Sequence, residues 1–134
     1  MNLAKTIEPI PECVDAVARQ VVDAALEVHR TLGPGLTEPV YEVCLCYELS
    51  QRGLAFVTQD PVPVVYKGIR LDADVRLDVL VEDCVLVELK AVENLIPVFE
   101  AQLLTYLKLT GKRLGLLINF NVPLLKNGIK RIAL

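Results

Sequence analysis

The chain has 134 residues, of which 53% are hydrophobic, with a formal net charge of −3 and a mean hydropathy of +0.43. This length is enough for one domain with a sizeable core, predicted over residues 1–134, and the acidic balance argues against a large non-specific nucleic-acid surface. No run of eighteen uncharged apolar residues occurs, which excludes a membrane-spanning helix, so the apolar excess predicts a dense core, a homodimer interface, or both.

Apolar residues at helical spacing predict the first two elements. Val and Ala recur at helical intervals through residues 11–33, with Pro11 in the first turn and Gly33 at the end. A second helix follows, for which Thr37 is the predicted N-cap and Gly53 the end. The chain therefore opens with two consecutive helices.

Residues 54–90 are rich in Val, Leu and turn residues, which predicts a meander of antiparallel strands. A third helix is predicted from after Ile96 to Gly111, followed by a fully apolar central strand over residues 113–120, a loop, and a short edge strand over residues 129–134. This order predicts an α/β fold: a mixed β-sheet, made of the meander and the central strand, flanked by helices.

The stretch LDVLVEDCVLVELK, residues 77–90, predicts a hairpin with a defined register. Apolar residues occupy the odd positions: Val75, Leu77, Val79, Val81, Val85, Val87 and Leu89. Placing both rows on one face requires an odd-length turn, and residues 82–84 are the shortest choice, pairing Val81 with Val85. Asp78 then lies opposite Glu88, and Arg76 opposite Lys90.

Two facing carboxylates repel each other unless a divalent cation lies between them. Carboxylate oxygens are the hard ligands that Mg²⁺ and Mn²⁺ prefer, so Asp78 and Glu88 are candidate metal ligands. Lys90 lies on the same face and could orient a water or stabilise charge on a phosphate oxygen. The alternative is a solvated strand face in which Glu88 forms an ion pair with Arg76 or Lys90, and this stretch alone slightly favours it.

Asp78, followed ten residues later by the ELK of residues 88–90, resembles the PD-(D/E)xK nuclease superfamily, with Leu77 where the superfamily name has Pro. GLTEPVY, residues 35–41, resembles the signature of the GxxExxY protein family, a branch of that superfamily. AQLLTY, residues 101–106, resembles the Gln-x-x-x-Tyr motif of RecB-type nucleases. The order of these motifs implies a restriction-endonuclease-like core of helix, antiparallel strands, helix and strand.

The resemblance also implies residue roles. Asp78 and Glu88 hold Mg²⁺ or Mn²⁺, Lys90 assists the attacking water, and Glu38 adds a third carboxylate at the metal. Gln102 joins the catalytic set. The alternative for Glu38 is an ordinary first-turn Glu favoured by the helix dipole.

Two tyrosines are the candidate substrate-binding residues, Tyr106 and Tyr41. Tyr106 and Gln102 are four residues apart and share a helix face, so together they could position substrate or Lys90. The alternative for both tyrosines is packing in the core, and that alternative is favoured for Tyr41.

The leading functional prediction is a metal-dependent nuclease acting on DNA more readily than on RNA. The alternative is a catalytically silent module that binds nucleic acid or protein, possibly as a dimer. The four cysteines contain no CxxC pair and His29 is the only histidine, which argues against a zinc site. Residues 1–14 have no signal-peptide core, so a cytoplasmic location is the default expectation.

Overall fold

The computed structural model describes residues 8–134, so the first half of the stretch that bears on a signal peptide, residues 1–7, lies outside the described residues. The helices are α1 (Glu12–Leu32), α2 (Glu38–Gln51) and α3 (Pro97–Thr110). The strands are β1 (Phe56–Pro61), β2 (Val64–Tyr66), β3 (Ile69–Leu71), β4 (Arg76–Val81), β5 (Val85–Lys90), β6 (Leu114–Asn119) and β7 (Ile129–Ala133). Within this part of the chain no helix combines the length and apolarity that crossing a bilayer requires.

The helix ends follow the sequence signals closely. Thr37 is the N-cap of α2, α3 starts directly after Ile96, and Gly111 ends α3 in the left-handed conformation, all as predicted. The predicted first-turn position of Pro11 is wrong by one residue. Pro11 is the N-cap of α1, because its ψ of 142° is extended while its carbonyl accepts the first helical hydrogen bonds.

The main sheet has five strands in the order β1-β4-β5-β6-β7, with β5 and β6 parallel and the other pairs antiparallel. The predicted mixed sheet flanked by helices is therefore confirmed. β6 is buried at every residue, but it lies one place from the middle of the sheet, which β5 occupies. β7 is an edge strand as predicted, and the loop before it contains a 3₁₀ turn, Leu125–Gly128.

The predicted continuous meander is wrong at β2 and β3. These strands form a separate two-stranded hairpin, and β1 pairs with β4 instead of β2. Pro61 and Pro63 explain why β2 does not pair with β1, because a proline has no N–H to donate and is tolerated at the edge of a sheet. Between them the Val62 N–H still donates to the Val75 carbonyl at 2.8 Å, so the pairing with the β4 side continues as far as Val62. The chain therefore leaves the sheet after β1 and returns to it at β4.

Hydrophobic clusters cover the main sheet on both faces. α1 and α2 pack on one face, where Tyr41, Leu45 and Phe120 are fully buried, and α3 packs on the other through Leu103 and Leu107. Because both faces are covered, every β5 residue before Lys90 is buried. Any charged side chain on β5 is therefore placed in an apolar layer.

The predicted register of the β4–β5 hairpin is confirmed. Val81 pairs with Val85 and Val79 with Val87. Beyond Val79 and Val87 the two strands separate, since β4 stays paired with β1 as far as Arg76 while β5 stays paired with β6 to its end.

The single apolar face predicted for the hairpin's odd positions is wrong before Asp78. Leu77 packs in the cluster on the α3 side, together with Val75, whereas Val79 packs on the α1–α2 side. Asp78 is therefore the point at which the strand changes the face it presents.

Candidate catalytic and metal-binding site

Side chains replace the backbone ladder where β4 and β5 separate. The Asp78 N–H donates to Glu88 Oε1 at 3.0 Å, and the Leu89 N–H donates to Asp78 Oδ2 at 2.8 Å. Each carboxylate therefore binds the main chain of the opposite strand and keeps a second oxygen for another partner. The structure places the two acids together, as the register predicts.

Glu88 is buried, with only 6% of its surface exposed. Burial, and then the negative charge of Asp78, raise the pKa of Glu88 to about 7, while Lys90 acts in the opposite direction. The metal-free protein therefore holds part of its Glu88 protonated near neutral pH. A divalent cation at this position would favour the ionised form and displace that proton.

A cleft of about 120 Å³ opens beside Asp78, large enough for a few water molecules. Its lining residues are Glu38, Pro39, Glu42, Gln59, Asp78 and Leu89. The exposed carboxylate of Glu38 comes from the first turn of α2, and its charge also raises the pKa of Glu88. The structure thus places three acids, Asp78, Glu88 and Glu38, near one another, as predicted.

Hard oxygen donors around a small cleft fit a magnesium or manganese ion chemically. Within residues 8–134, however, no group of three or more acidic, histidine or cysteine side chains already stands in positions that would hold an ion. Asp78 and Glu88 are thus the two donors that the backbone fixes, and Glu38 would have to move toward them to complete a set.

Lys90 follows Glu88 on the same strand, but its ammonium group lies over the ring of Phe99, 4.3 Å from the ring centroid. None of the ion pairs among residues 8–134 involves Lys90, and Arg76 pairs with Asp74 at 3.0 Å. The alternative of a solvated strand face with Glu88 in a surface ion pair is therefore wrong. Glu88 is buried, and neither proposed partner pairs with it.

α3 adds a connected pair of side chains on the other side of Glu88. The Gln102 amide donates to the hydroxyl of Tyr106 at 2.9 Å, so the two share a helix face as predicted. Burial and then the charge of Glu88 raise the pKa of Tyr106, which places its hydroxyl close to the carboxylate pair. Gln102 is exposed and reaches this region through Tyr106.

Tyr41 does not reach the site. It is 0% exposed and stacks on Phe120 with ring centroids 4.4 Å apart. Its hydroxyl donates to the Gly33 carbonyl at 2.6 Å and accepts from the Leu36 N–H at 3.2 Å. The predicted substrate-binding role gives way to the core alternative, in which Tyr41 fixes the loop that leads to Glu38.

Three residues near the site escaped the sequence interpretation: Glu42, Gln59 and Phe99. Glu42 lies one helical turn after Glu38, and this spacing alone could have indicated it. Gln59 and Phe99 carry no such signal, because their proximity depends on β1 lying beside β4 and on the packing of α3.

The comparisons with known proteins identify the superfamily of the chain. The family model described as PD-(D/E)XK nuclease superfamily matches residues 15–132, a span that includes all the helices and strands except the first three residues of α1 and the last residue of β7. No curated protein and no solved structure matches the chain. The match identifies the superfamily, so the narrower GxxExxY assignment stays a prediction carried by the motif at residues 35–41.

Proposed function

We propose that this chain, which belongs to the PD-(D/E)XK nuclease superfamily, is a divalent-metal-dependent nuclease that hydrolyses phosphodiester bonds, in DNA more readily than in RNA. Its resemblance to the GxxExxY branch is part of the proposal. Superfamily membership supports a nucleic acid as the substrate, and Mg²⁺ or Mn²⁺ as the cofactor follows from the hard oxygen donors.

The observation that carries the proposal is the buried carboxylate pair. Removing a charged carboxylate from water is costly unless a partner compensates, and a second acid beside it increases that cost. Folding alone does not need either acid, because an apolar residue at position 88 would suit the covered sheet better. A cation bound by Asp78 and Glu88, with Glu38 closing from α2, would offset both the desolvation and the repulsion.

The remaining residues have distinct roles in the proposal. A bound cation would polarise the phosphate and acidify a water. Lys90, which Phe99 holds half-buried beside Glu88, would stabilise charge that develops on a phosphate oxygen. Tyr106 would contact the substrate or restrain the carboxylate pair, and Gln102 would orient the Tyr106 hydroxyl.

Calorimetric titration of Mn²⁺ tests the metal step without any assumption about the substrate. We expect wild type to bind Mn²⁺ and Asp78→Ala to lose binding. Asp74→Ala is the matched control, because Asp74 is an exposed acid four residues earlier that forms only a surface pair with Arg76. Equal binding by wild type and Asp78→Ala would contradict the proposed site.

Nuclease assays on single- and double-stranded DNA and on RNA then test the chemistry. We expect cleavage by wild type in Mn²⁺ or Mg²⁺, and a loss of at least ~100-fold in Lys90→Ala, in the range found when one charge-stabilising donor is removed. Lys90→Ala should still bind Mn²⁺, which separates a catalytic defect from loss of the cation.

A second candidate is a catalytically silent binding module, and the position of Lys90 favours it. Its ammonium group rests on Phe99 instead of contacting the carboxylates. Exposed apolar residues on α2, Val43 at 69% and Tyr47 at 63%, also suit a homodimer or a protein partner. Nucleic-acid or protein binding without cleavage, unchanged in Asp78→Ala, would select this function.

A further inference from the structure

Gln59 has an unusual backbone conformation for a residue inside a strand. Its φ is 51°, in the left-handed region that L-residues rarely adopt. In the β1–β4 register Thr58 pairs with Val79 and Asp60 with Leu77, so Gln59 lies directly opposite Asp78. The unusual conformation therefore occurs beside the residue that binds the opposite strand through its carboxylate.

Turn geometry explains the other left-handed residues but not this one. Among residues 8–134 the other non-glycine residues with positive φ are Lys67, Glu82 and Asp83, and all three lie in hairpin turns that require this conformation. Gln59 lies within β1, where an extended conformation would satisfy the strand. Backbone strain of this kind persists only where surrounding contacts maintain it.

The side chain of Gln59 contacts a residue of the cleft. Its side-chain amide donates to Glu42 Oε1 at 2.9 Å, and its carbonyl accepts from Arg76 Nη1 at 3.2 Å. Gln59 and Glu42 line the cleft together with Asp78. In the described part of the chain, the second oxygen of Glu42 has no protein hydrogen-bond donor, so it is free to accept from a water.

We propose that Gln59 is a positioning residue that holds Glu42 in the cleft, where the free Glu42 oxygen accepts a hydrogen bond from a water of the hydrated cation. This rests on the proposed function and adds residues to the same site. Mg²⁺ and Mn²⁺ keep several waters when few protein ligands contact them, and Asp78 and Glu88 supply only two fixed donors. Residues that hydrogen-bond to metal ligands or to metal-bound waters strongly affect the affinity for the metal.

A neutral donor suits this role. An amide hydrogen bond orders the Glu42 side chain while leaving its charge intact, whereas a Lys or Arg at position 59 would neutralise the carboxylate and compete with the cation. The left-handed backbone directs the Gln59 side chain across the mouth of the cleft toward α2. The strained residue and the carboxylate it binds therefore act as one unit.

The test is a double-mutant cycle read by calorimetric titration of Mn²⁺. Glu42→Gln removes the carboxylate, and Gln59→Gly removes the amide while permitting the left-handed conformation. We expect each single variant to bind Mn²⁺ about 10-fold more weakly, the lower end of the range for residues that hydrogen-bond to metal ligands. We expect the double variant to bind no more weakly than Glu42→Gln, because Gln59 acts through Glu42.

Stability provides a readout that separates positioning from a structural role. We expect the melting temperature of Gln59→Gly to equal or exceed that of wild type, because glycine relieves the strain. Lys67→Gly is the matched control, since it relieves the same conformation in a turn away from the cleft and should leave Mn²⁺ affinity unchanged. If Gln59→Gly unfolds, Gln59→Asn tolerates the same backbone with an amide too short to reach Glu42.

The outcomes distinguish this inference from the proposed function. Wild-type Mn²⁺ affinity in Gln59→Gly, or losses that add in the double variant, would overturn the positioning role. If Asp78→Ala loses binding in the same experiment, the proposed site would still stand. Retention of wild-type affinity by Asp78→Ala, or no Mn²⁺ binding by wild type, would overturn the proposed site and this inference with it.

Discussion

The two β-hairpins of this protein distribute their polar and apolar residues in opposite ways. The β4–β5 hairpin is covered by helices on both faces and yet buries the carboxylate of Glu88. The β2–β3 hairpin stands apart from the main sheet and exposes Val65, Tyr66 and Ile69 by 55–62%. Charged side chains are normally exposed and large apolar side chains normally buried, so each hairpin has a feature that folding alone does not explain.

The difference shows that the burial of a hairpin depends on its position relative to the main sheet, because the local composition of the two hairpins is similar. Both hairpins are rich in Val and Leu and carry charged residues at intervals. One hairpin occupies the middle of the sheet, whereas the prolines at positions 61 and 63 turn the other away from it. The charges of the covered hairpin are consequently screened less by water than those of the exposed one, which is why the proposed function rests on them.

Truncating one apolar residue in each hairpin should change stability by very different amounts. Leu86 is 0% exposed and Ile69 is 62% exposed. We expect Leu86→Ala to lower the free energy of unfolding by about 2–5 kcal/mol, through lost burial and the cavity left behind, and Ile69→Ala by less than about 1 kcal/mol. Urea unfolding followed by circular dichroism measures both.

A large loss of stability in Ile69→Ala would contradict the exposure of the β2–β3 hairpin. It would mean that something covers the outer hairpin in solution, and a dependence of the loss on protein concentration would identify that cover as a second copy of the chain. A small loss in Leu86→Ala would contradict the burial of the central hairpin.

The buried carboxylate of Glu88 should make stability depend on pH. The pKa of Glu88 is about 7 in the folded protein against an ordinary value of 4.5, so the folded state binds the proton more tightly than the unfolded state does. This stabilisation is present below about pH 4.5 and is lost as pH rises through about 7. Without metal, the wild type should lose about 3 kcal/mol from this group between those pH values.

Glu88→Gln tests this, because the amide cannot ionise and its oxygen can still accept from the Asp78 N–H. In the presence of a chelator we expect the stability of Glu88→Gln, relative to wild type, to rise by about 3 kcal/mol from pH 4.5 to pH 8. Urea unfolding at several pH values measures the difference. Parallel pH profiles for the two proteins would show that Glu88 titrates normally and is better hydrated than its burial indicates.

The register of the site hairpin could be predicted from the sequence because the odd apolar positions require an odd-length turn, of which residues 82–84 are the shortest choice. That reasoning places Asp78 opposite Glu88. The backbone ladder ends one pair earlier, at Val79 and Val87, but side-chain hydrogen bonds bring the two acids together. It fails at Leu77, because strict alternation holds only while both neighbouring strands stay paired, and β5 has already separated there. The hydrophobic pattern of one strand does not show where a neighbouring strand stops pairing with it.

Other parts of the site depend on long-range packing. Phe99 reaches Lys90 from α3, across the loop between β5 and α3, and Gln59 reaches Asp78 from β1, nineteen residues earlier in the sequence. The motif at residues 35–41 indicates both Glu38 and Tyr41, but a sequence motif does not separate a residue that faces the cleft from one that supports it in the core. Solvent exposure in the structure makes that distinction.

Substitutions in the turns of the two hairpins should change stability only slightly. Lys67 and Glu82 both have a φ near 50°. The Glu82 carboxylate accepts the Ala55 N–H at 2.8 Å, whereas the Lys67 ammonium group makes only a weaker contact with the exposed Tyr66 ring, 5.5 Å from its centroid. Asn tolerates this backbone better than Lys and is preferred before glycine in a two-residue turn, so Lys67→Asn should stabilise the protein by up to about 1 kcal/mol. Glu82→Asn gains the same relief but loses the hydrogen bond, worth about 0.5–1.5 kcal/mol, and should be neutral or destabilising. Melting temperatures of the two variants, measured side by side, would differ in sign or by several degrees. Equal stabilisation of both would mean that the Glu82 contact contributes nothing, and that the turns differ only in the strands they join.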